Sequence, residues 1–283
     1  MARTEGGRRF SLAWLKPPPV PPDGNMSLFE HLRELRYRFV AAAVIIVIGM
    51  IVCAFFWLRL YDILLYPYEV AKADLMAARP DAQIDAVNIG VTAPMMLAVK
   101  VVAVAALVLT SPGWLYQLWA FIAPGLLAKE KKWALLFIGT SAPLFIAGVA
   151  LGYWVMPKGI AVMLSFTPES LEITNLLDLP YFLNFLIRLM LVFGIAFLLP
   201  VVVVALNLVG VISAAQLAKA RIYVIFGTFV FGAVATPSTD PFSMLALAIP
   251  MSVLFLISEF ICRLNDKRKG RTKATSDELE TVA

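Results

Sequence analysis

The sequence predicts an all-α membrane protein: six transmembrane helices forming a kinked, concave bundle, with short fifth and sixth helices and both termini cytoplasmic. Three observations predict it. Of the 283 residues, 61% are hydrophobic and 15% charged, with a mean hydropathy of +0.84; a soluble domain sits nearer half apolar and a quarter charged. The apolar residues fall in six runs, at about 39–58, 95–123, 133–156, 181–208, 222–236 and 242–262, and most are long enough to cross a bilayer as helix. Lysine and arginine also segregate: 18 of the 24 lie in the two terminal segments and in the alternate loops around 129–132 and 219–221. Such asymmetry marks the cytoplasmic side. It also accounts for the net charge of +5, which is therefore no sign of nucleic-acid binding.

The elements follow in order. Arg8-Arg9-Phe10 imitates the start of an export signal, but "SLAWLKPPPVPPDG" after it has no apolar core and no small-residue cleavage site. Residues 1–25 are expected to be a Pro-rich, disordered cytoplasmic tail. Ser27 and Glu30 form an S-x-x-E capping box, so the first helix starts there. Leu28, Leu32, Leu35 and Phe39 then share one narrow face, with Glu30, Arg33, Glu34, Tyr37 and Arg38 elsewhere on the wheel. The outside loop 59–94 contains "YDILLYPYEVAKADLMAARP", which reads as short amphipathic helix. Pro112, Pro143 and Pro200 lie in runs two, three and four and are expected to kink them. The loop 157–180 is the second substantial outside segment, and the two loops together could cap the outer side. The fifth run has about 14 apolar residues, roughly 21 Å of helix, and Pro250 is expected to break the sixth. Residues 26–264 form the membrane domain, and 265–283, basic then acidic, a second disordered tail.

Charged residues at the membrane carry the candidate chemistry. Glu34 has two readings: an i,i+4 partner for Arg38 on an interfacial helix, or a carboxylate receptor for a cationic ligand. Glu130 stands alone among Lys129, Lys131 and Lys132, either incidental to a basic loop or part of a binding site. Lys100 and Arg188 lie toward the outer ends of their spans and Glu259 toward the inner end of its own, each within reach of an interface. His31 has no second metal ligand at suitable spacing. Cys53 and Cys262 lie at different depths and are not expected to pair. There is no Walker loop, nucleophile–base pair or dinucleotide fingerprint, so neither an enzyme nor a cofactor is expected.

"HLRELRYRF" at the first span, "SPGWLYQLWAFIAPGL" with "KEKK" after the second, "FGIAF" with a following proline in the fourth, and "TPSTDPFSM" between the last two together resemble the TatC family. This is the multispanning receptor of the twin-arginine protein translocase, and the likeness runs over about residues 26–264. The resemblance implies that Glu34 and Glu130 bind the paired arginines of export signal peptides, with Arg36, Phe121 and Pro124 helping to form that site. It implies structural or transport roles for Pro67, Pro112, Gln117 and Asp240. Asp240 also reads as an N-cap, with Pro241 at the first helical position.

The chemistry suits the implied ligand, because a guanidinium offers a planar fork that a carboxylate can grip twice. Implied partners are twin-arginine signal peptides of folded cargo, single-span TatA/TatB-type subunits and the lipid bilayer, in an oligomeric complex of the cytoplasmic membrane driven by proton-motive force. Leu198 stands where many members carry an intramembrane glutamate, which puts that contact to a single-span partner in doubt. Competing functions are a secondary transporter and a non-transporting membrane scaffold. The receptor reading requires Glu34 and Glu130 to meet on one membrane surface; a carboxyl sealed within packed helices would count against it.

Overall fold

A computed structural model describes residues 28–78, 84–122, 131–166, 175–236 and 241–268. Both tails through residue 27 and from 269, and the positions Pro124, Glu130 and Asp240, lie outside the described residues. The elements are α1 (Leu28–Ala54), α2 (Trp57–Ala78), β1 (Ile84–Val87), α3 (Ala93–Leu109), α4 (Ser111–Ile122) and α5 (Lys131–Ser165). They continue with β2 (Asn175–Asp178), α6 (Leu179–Ala196), α7 (Leu199–Val209), α8 (Ala214–Ala235) and α9 (Pro241–Arg268). Five helical stretches are long and apolar enough to span a membrane, and six if α3 and α4 count as one bent span. The all-α membrane class stands.

Proline chemistry shapes the bundle, though not always as expected. α3 and α4 meet at 62° around Thr110, two residues before Pro112. The break frees backbone carbonyls that lipid cannot satisfy. The Trp114 indole donates to Leu107 O at 2.8 Å and the Thr110 hydroxyl to Ala106 O at 2.7 Å. α6 and α7 part at Phe197–Leu198, with Pro200 in the first turn of α7. In contrast, α9 runs unbroken through Pro250 and α5 through Pro143 and Pro157, so the expected break in the sixth run does not occur.

α2 is longer than the short helix expected: it has 22 residues and also continues through a buried proline, Pro67. Proline at 67 cannot donate to the carbonyl four residues back. That carbonyl, Ile63 O, instead accepts from Tyr153 of α5 at 2.7 Å. A gap in the helix ladder thus becomes a link between α2 and α5.

The last two helices correct a further expectation. The fifth apolar run is short, but its helix is not, because "AAQLAKAR" continues α8 beyond it to a total of 22 residues. α9 has 28 residues and carries Asn265 and Asp266, assigned by sequence to the tail, as helix. A polar joint holds these ends. Asp266 accepts from Ala214 N at 2.7 Å and from Asn207 at 3.1 Å, while Asn207 donates to Ile212 O and accepts from Asn265. Ser213 and Gln216 close a capping box at the start of α8.

The main core lies where α5 and α6 press together around Phe145, Val149, Leu186, Leu189 and Phe193. Their approach depends on Gly148: a Cβ there would sit 2.5 Å from Phe193 O. Between the segments that precede α3 and α6, β1 and β2 pair in parallel, Ile84 opposite Asn175 through Val87 opposite Asp178. This pairing sets α3 and α6 running the same way from neighbouring starts. Cys53 and Cys262 are both free and buried.

Candidate functional site

The seam between α1 and α4 gathers the sequence-predicted residues that the structure describes near the basic end of the bundle. His31, Glu34, Arg38, Ile45 and Gly49 recur at three-, four- and seven-residue steps, one face of a helix. Gly49 lets α1 cross close to the bend, since a Cβ there would meet Thr110 Cγ2 at 2.5 Å. The opposite face of α1 carries the apolar residues Phe29, Leu32, Leu35 and Phe39, all exposed as the helical wheel requires of a lipid face.

α4 is anchored from behind. The Trp119 indole donates to Ser141 Oγ at 2.7 Å and stacks on Phe137 at 5.2 Å, while Ser141 donates to Phe137 O. Fixed in this way to α5, α4 presents Gln117 and Phe121, one turn apart, to α1. Phe121 stacks on His31 with centroids 4.6 Å apart and planes at 21°. Gln117 Oε1 accepts from Arg38 Nη1 at 3.5 Å.

At the centre lies Glu34, only 2% exposed. Arg38 donates to a single oxygen of it, Oε1, from Nε at 2.8 Å and from Nη2 at 2.6 Å. The other oxygen, Oε2, is buried and has no hydrogen-bond partner among the described residues. A buried acceptor left unmet costs roughly 1–3 kcal/mol, and more when charged. This is the strongest unmet polar demand at the seam. A donor brought to Oε2, above all a guanidinium, would satisfy it with a charge-assisted bond.

The receptor reading required a carboxyl that a ligand can reach, and the enclosure of Glu34, 2% exposed, counts against that reading for the closed seam. The i,i+4 pair with Arg38 is present, but the carboxyl is enclosed, and a ligand can reach it only by parting α1 from α4 or shifting Arg38. α1 is the span least held by the bundle, with 11% of its apolar window buried against 44% for α5.

Arg36 is exposed and, two residues from Glu34, points to the other side of α1. Pro112 is exposed at the bend and shapes α4 rather than lining the seam. Pro67 belongs to α2 and is not part of the cluster. The His31–Phe121 stack and the Arg38–Gln117 contact were not foreseen. Only the spacing of His31, Glu34 and Arg38 on one helical face hinted at them.

A second buried carboxylate lies between α8 and α9. Glu259, also 2% exposed, takes the Arg221 fork on both oxygens, at 2.9 and 2.6 Å, and Arg263 at 2.6 Å. Its demand is met within the chain. Among the described residues no cluster of three or more His, Cys, Asp or Glu could hold a metal ion.

Long apolar spans, a bent helix pair and a buried carboxylate at the α1–α4 seam define a multispanning membrane protein with a polar site between helices. The chain belongs to the TatC family, whose model, described as Sec-independent protein translocase protein (TatC), matches residues 30–250. It is 40% identical over 263 residues to the TatC of Frankia casuarinae, covering 90% of this chain and 70% of that one. To the TatC of Aquifex aeolicus it is 32% identical over 245 residues, 86% of this chain and 98% of that one. The fold superposes with a TM-score of 0.68 on the crystal structure of the twin arginine translocase receptor TatC in DDM, at 31% identity, over 82% of this chain and 99% of that chain. The chain is accordingly a subunit of a protein translocase of the Tat type.

Proposed function

We propose that this subunit is the receptor for twin-arginine signal peptides and the core around which the export machinery assembles. The observation that carries this reading is the buried, unmet Oε2 of Glu34 beside a carboxylate oxygen already gripped by one arginine. The site is built for guanidinium and half filled by the chain's own. An incoming arginine takes the open oxygen, and Glu130 receives the second arginine of the pair. His31 and Phe121 give the peptide an aromatic wall. Lysine lacks the planar fork, so an Arg-to-Lys signal binds less well.

In this reading both termini and the α1–α4 seam face the cytoplasm, the membrane is the cytoplasmic membrane, and the partners are folded cargo and single-span TatA/TatB-type subunits. Transport energy comes from the proton-motive force. Entry of the peptide parts α1 from α4, which the sparse packing of α1 favours.

The test is photo-crosslinking of a twin-arginine signal peptide from probes at positions 117 and 121 in membranes. Crosslinks are expected with the Arg-Arg peptide and much weaker ones with its Lys-Lys form. Equal crosslinking of the two, or none that responds to Glu34→Gln, would reject the assignment.

A further inference from the structure

A different polar feature lies at the β1–β2 end of the bundle. α3 and α6 run side by side from that end, their starts held together by the strand pair. Seven residues into α3, Lys100 donates from Nζ to Asn184 Oδ1 of α6 at 2.8 Å. One turn further along α6, Arg188 lies exposed, and among the described residues it makes no hydrogen bond or ion pair. Two cations and an amide thus lie together along the exposed α3–α6 surface, and among the described residues no carboxylate is paired to either cation.

Such charges are costly in hydrocarbon and need an anion. Lys100 is about 10 Å of helix below the start of α3, and Arg188 about 14 Å below that of α6. Both helices have their N-termini at this end, so side chains lean back toward it and the charged heads snorkel to the level of the headgroups.

We propose that the α3–α6 surface is a binding site for an anionic phospholipid of the leaflet nearest β1 and β2. Arg188 grips the phosphate through its fork, Lys100 adds a second cation, and Asn184 fixes Lys100 in place. The acyl chains lie along the apolar surface of α6 beyond Arg188. A partner helix is the less favoured occupant, because headgroup phosphate is the anion present at the depth both side chains reach. The inference does not depend on which side of the membrane this leaflet faces, or on the signal-peptide reading.

Native mass spectrometry of the full chain in detergent tests this by titration with phosphatidylglycerol and with phosphatidylcholine of the same acyl chains. Phosphatidylglycerol is expected to bind more tightly. Arg188→Gln should weaken it about 5-fold and the pair Lys100→Gln, Arg188→Gln about 30-fold, with phosphatidylcholine unchanged. Arg59→Gln, at an exposed arginine on α2, should leave both lipids unaffected. Lys100→Arg with Arg188→Lys should keep the preference, separating loss of charge from loss of fold. Because Arg188 makes no bond among the described residues, Arg188→Gln is decisive by itself. An unchanged preference for phosphatidylglycerol would overturn the site, as would a photo-probe at position 192 that labels only protein in native membranes.

Discussion

Glu34 and Glu259 are both buried to 2% exposure and both bonded to arginine four residues on in their own helix, yet they are built differently. Glu259 is closed: Arg221 takes both its oxygens and Arg263 shares one. Those arginines are themselves about half exposed, 41% and 52%. Glu34 is open: one arginine crowds Oε1, and among the described residues Oε2 has no donor. Burial and charge are equal, so neither separates a structural carboxylate from a binding one. On the function proposed for Glu34, the number of unmet acceptor positions does. A fold can tolerate an unmet position at a site where a ligand supplies the missing donor.

The sharpest way to break this comparison is to neutralise each carboxylate at constant shape. Glu34→Gln should reduce affinity for a twin-arginine peptide by about 10- to 100-fold, the worth of one charge-assisted bond. It should change stability by less than ~1 kcal/mol, since it removes a poorly satisfied buried charge and Arg38 can turn toward water. Glu259→Gln should do the reverse: a loss of about 2 kcal/mol in thermal unfolding, moderated because its arginines are half exposed, with peptide affinity unchanged. Peptide titration and melting of the same purified variants decide the matter. If both variants lose stability equally and neither loses peptide, the distinction between the two sites is wrong.

Asp266 extends the closed class without a cation. Its two oxygens accept from Ala214 N and Asn207, so Asp266→Asn must point an amide N–H at one of those donors. A loss of about 1–2 kcal/mol is expected, read as a lower melting temperature with export signals still bound. An unaltered melting temperature would mean that the α7–α9 joint contributes little.

How much of this was legible in the sequence depends on the reach of each interaction. The apolar runs and the pairing of Glu34 with Arg38 are local, and both can be read directly. The capping box that sequence places at Ser27 lies outside the described residues, which begin within α1 at Leu28. The strands were not read: "IDAV" and "NLLD" are four residues each and exist as strands only because each finds the other, some ninety residues away. The continuity of α9 through Pro250 was misjudged because a proline removes one hydrogen bond, while the packing of a long span retains the rest of the helix. At the site, His31–Phe121 and Arg38–Gln117 were hidden for a related reason. They depend on a 62° bend at Thr110 and on the Trp119–Ser141 anchor that aims α4 at α1, and no pattern within α1 encodes either.

The smallest expected effect probes what keeps Glu34 open. Arg38 places both Nε and Nη2 on Oε1, an off-centre grip, while Nη1 reaches Gln117. A guanidinium left to itself would straddle both carboxylate oxygens in parallel bonds. Gln117 is therefore the group that draws Arg38 aside and leaves Oε2 to the ligand. At 3.5 Å its bond is at the limit of useful length, so Gln117→Leu should shift stability by under ~0.5 kcal/mol. Released, Arg38 can close over both oxygens, and peptide affinity should fall by about 3-fold, a fraction of one charge-assisted bond. Gln117→Glu should restore or exceed the original affinity by holding Arg38 more firmly. If Gln117→Leu leaves peptide binding unchanged or strengthens it, Arg38 is not a competitor for Oε2, and some other feature of the α1–α4 seam keeps the site open.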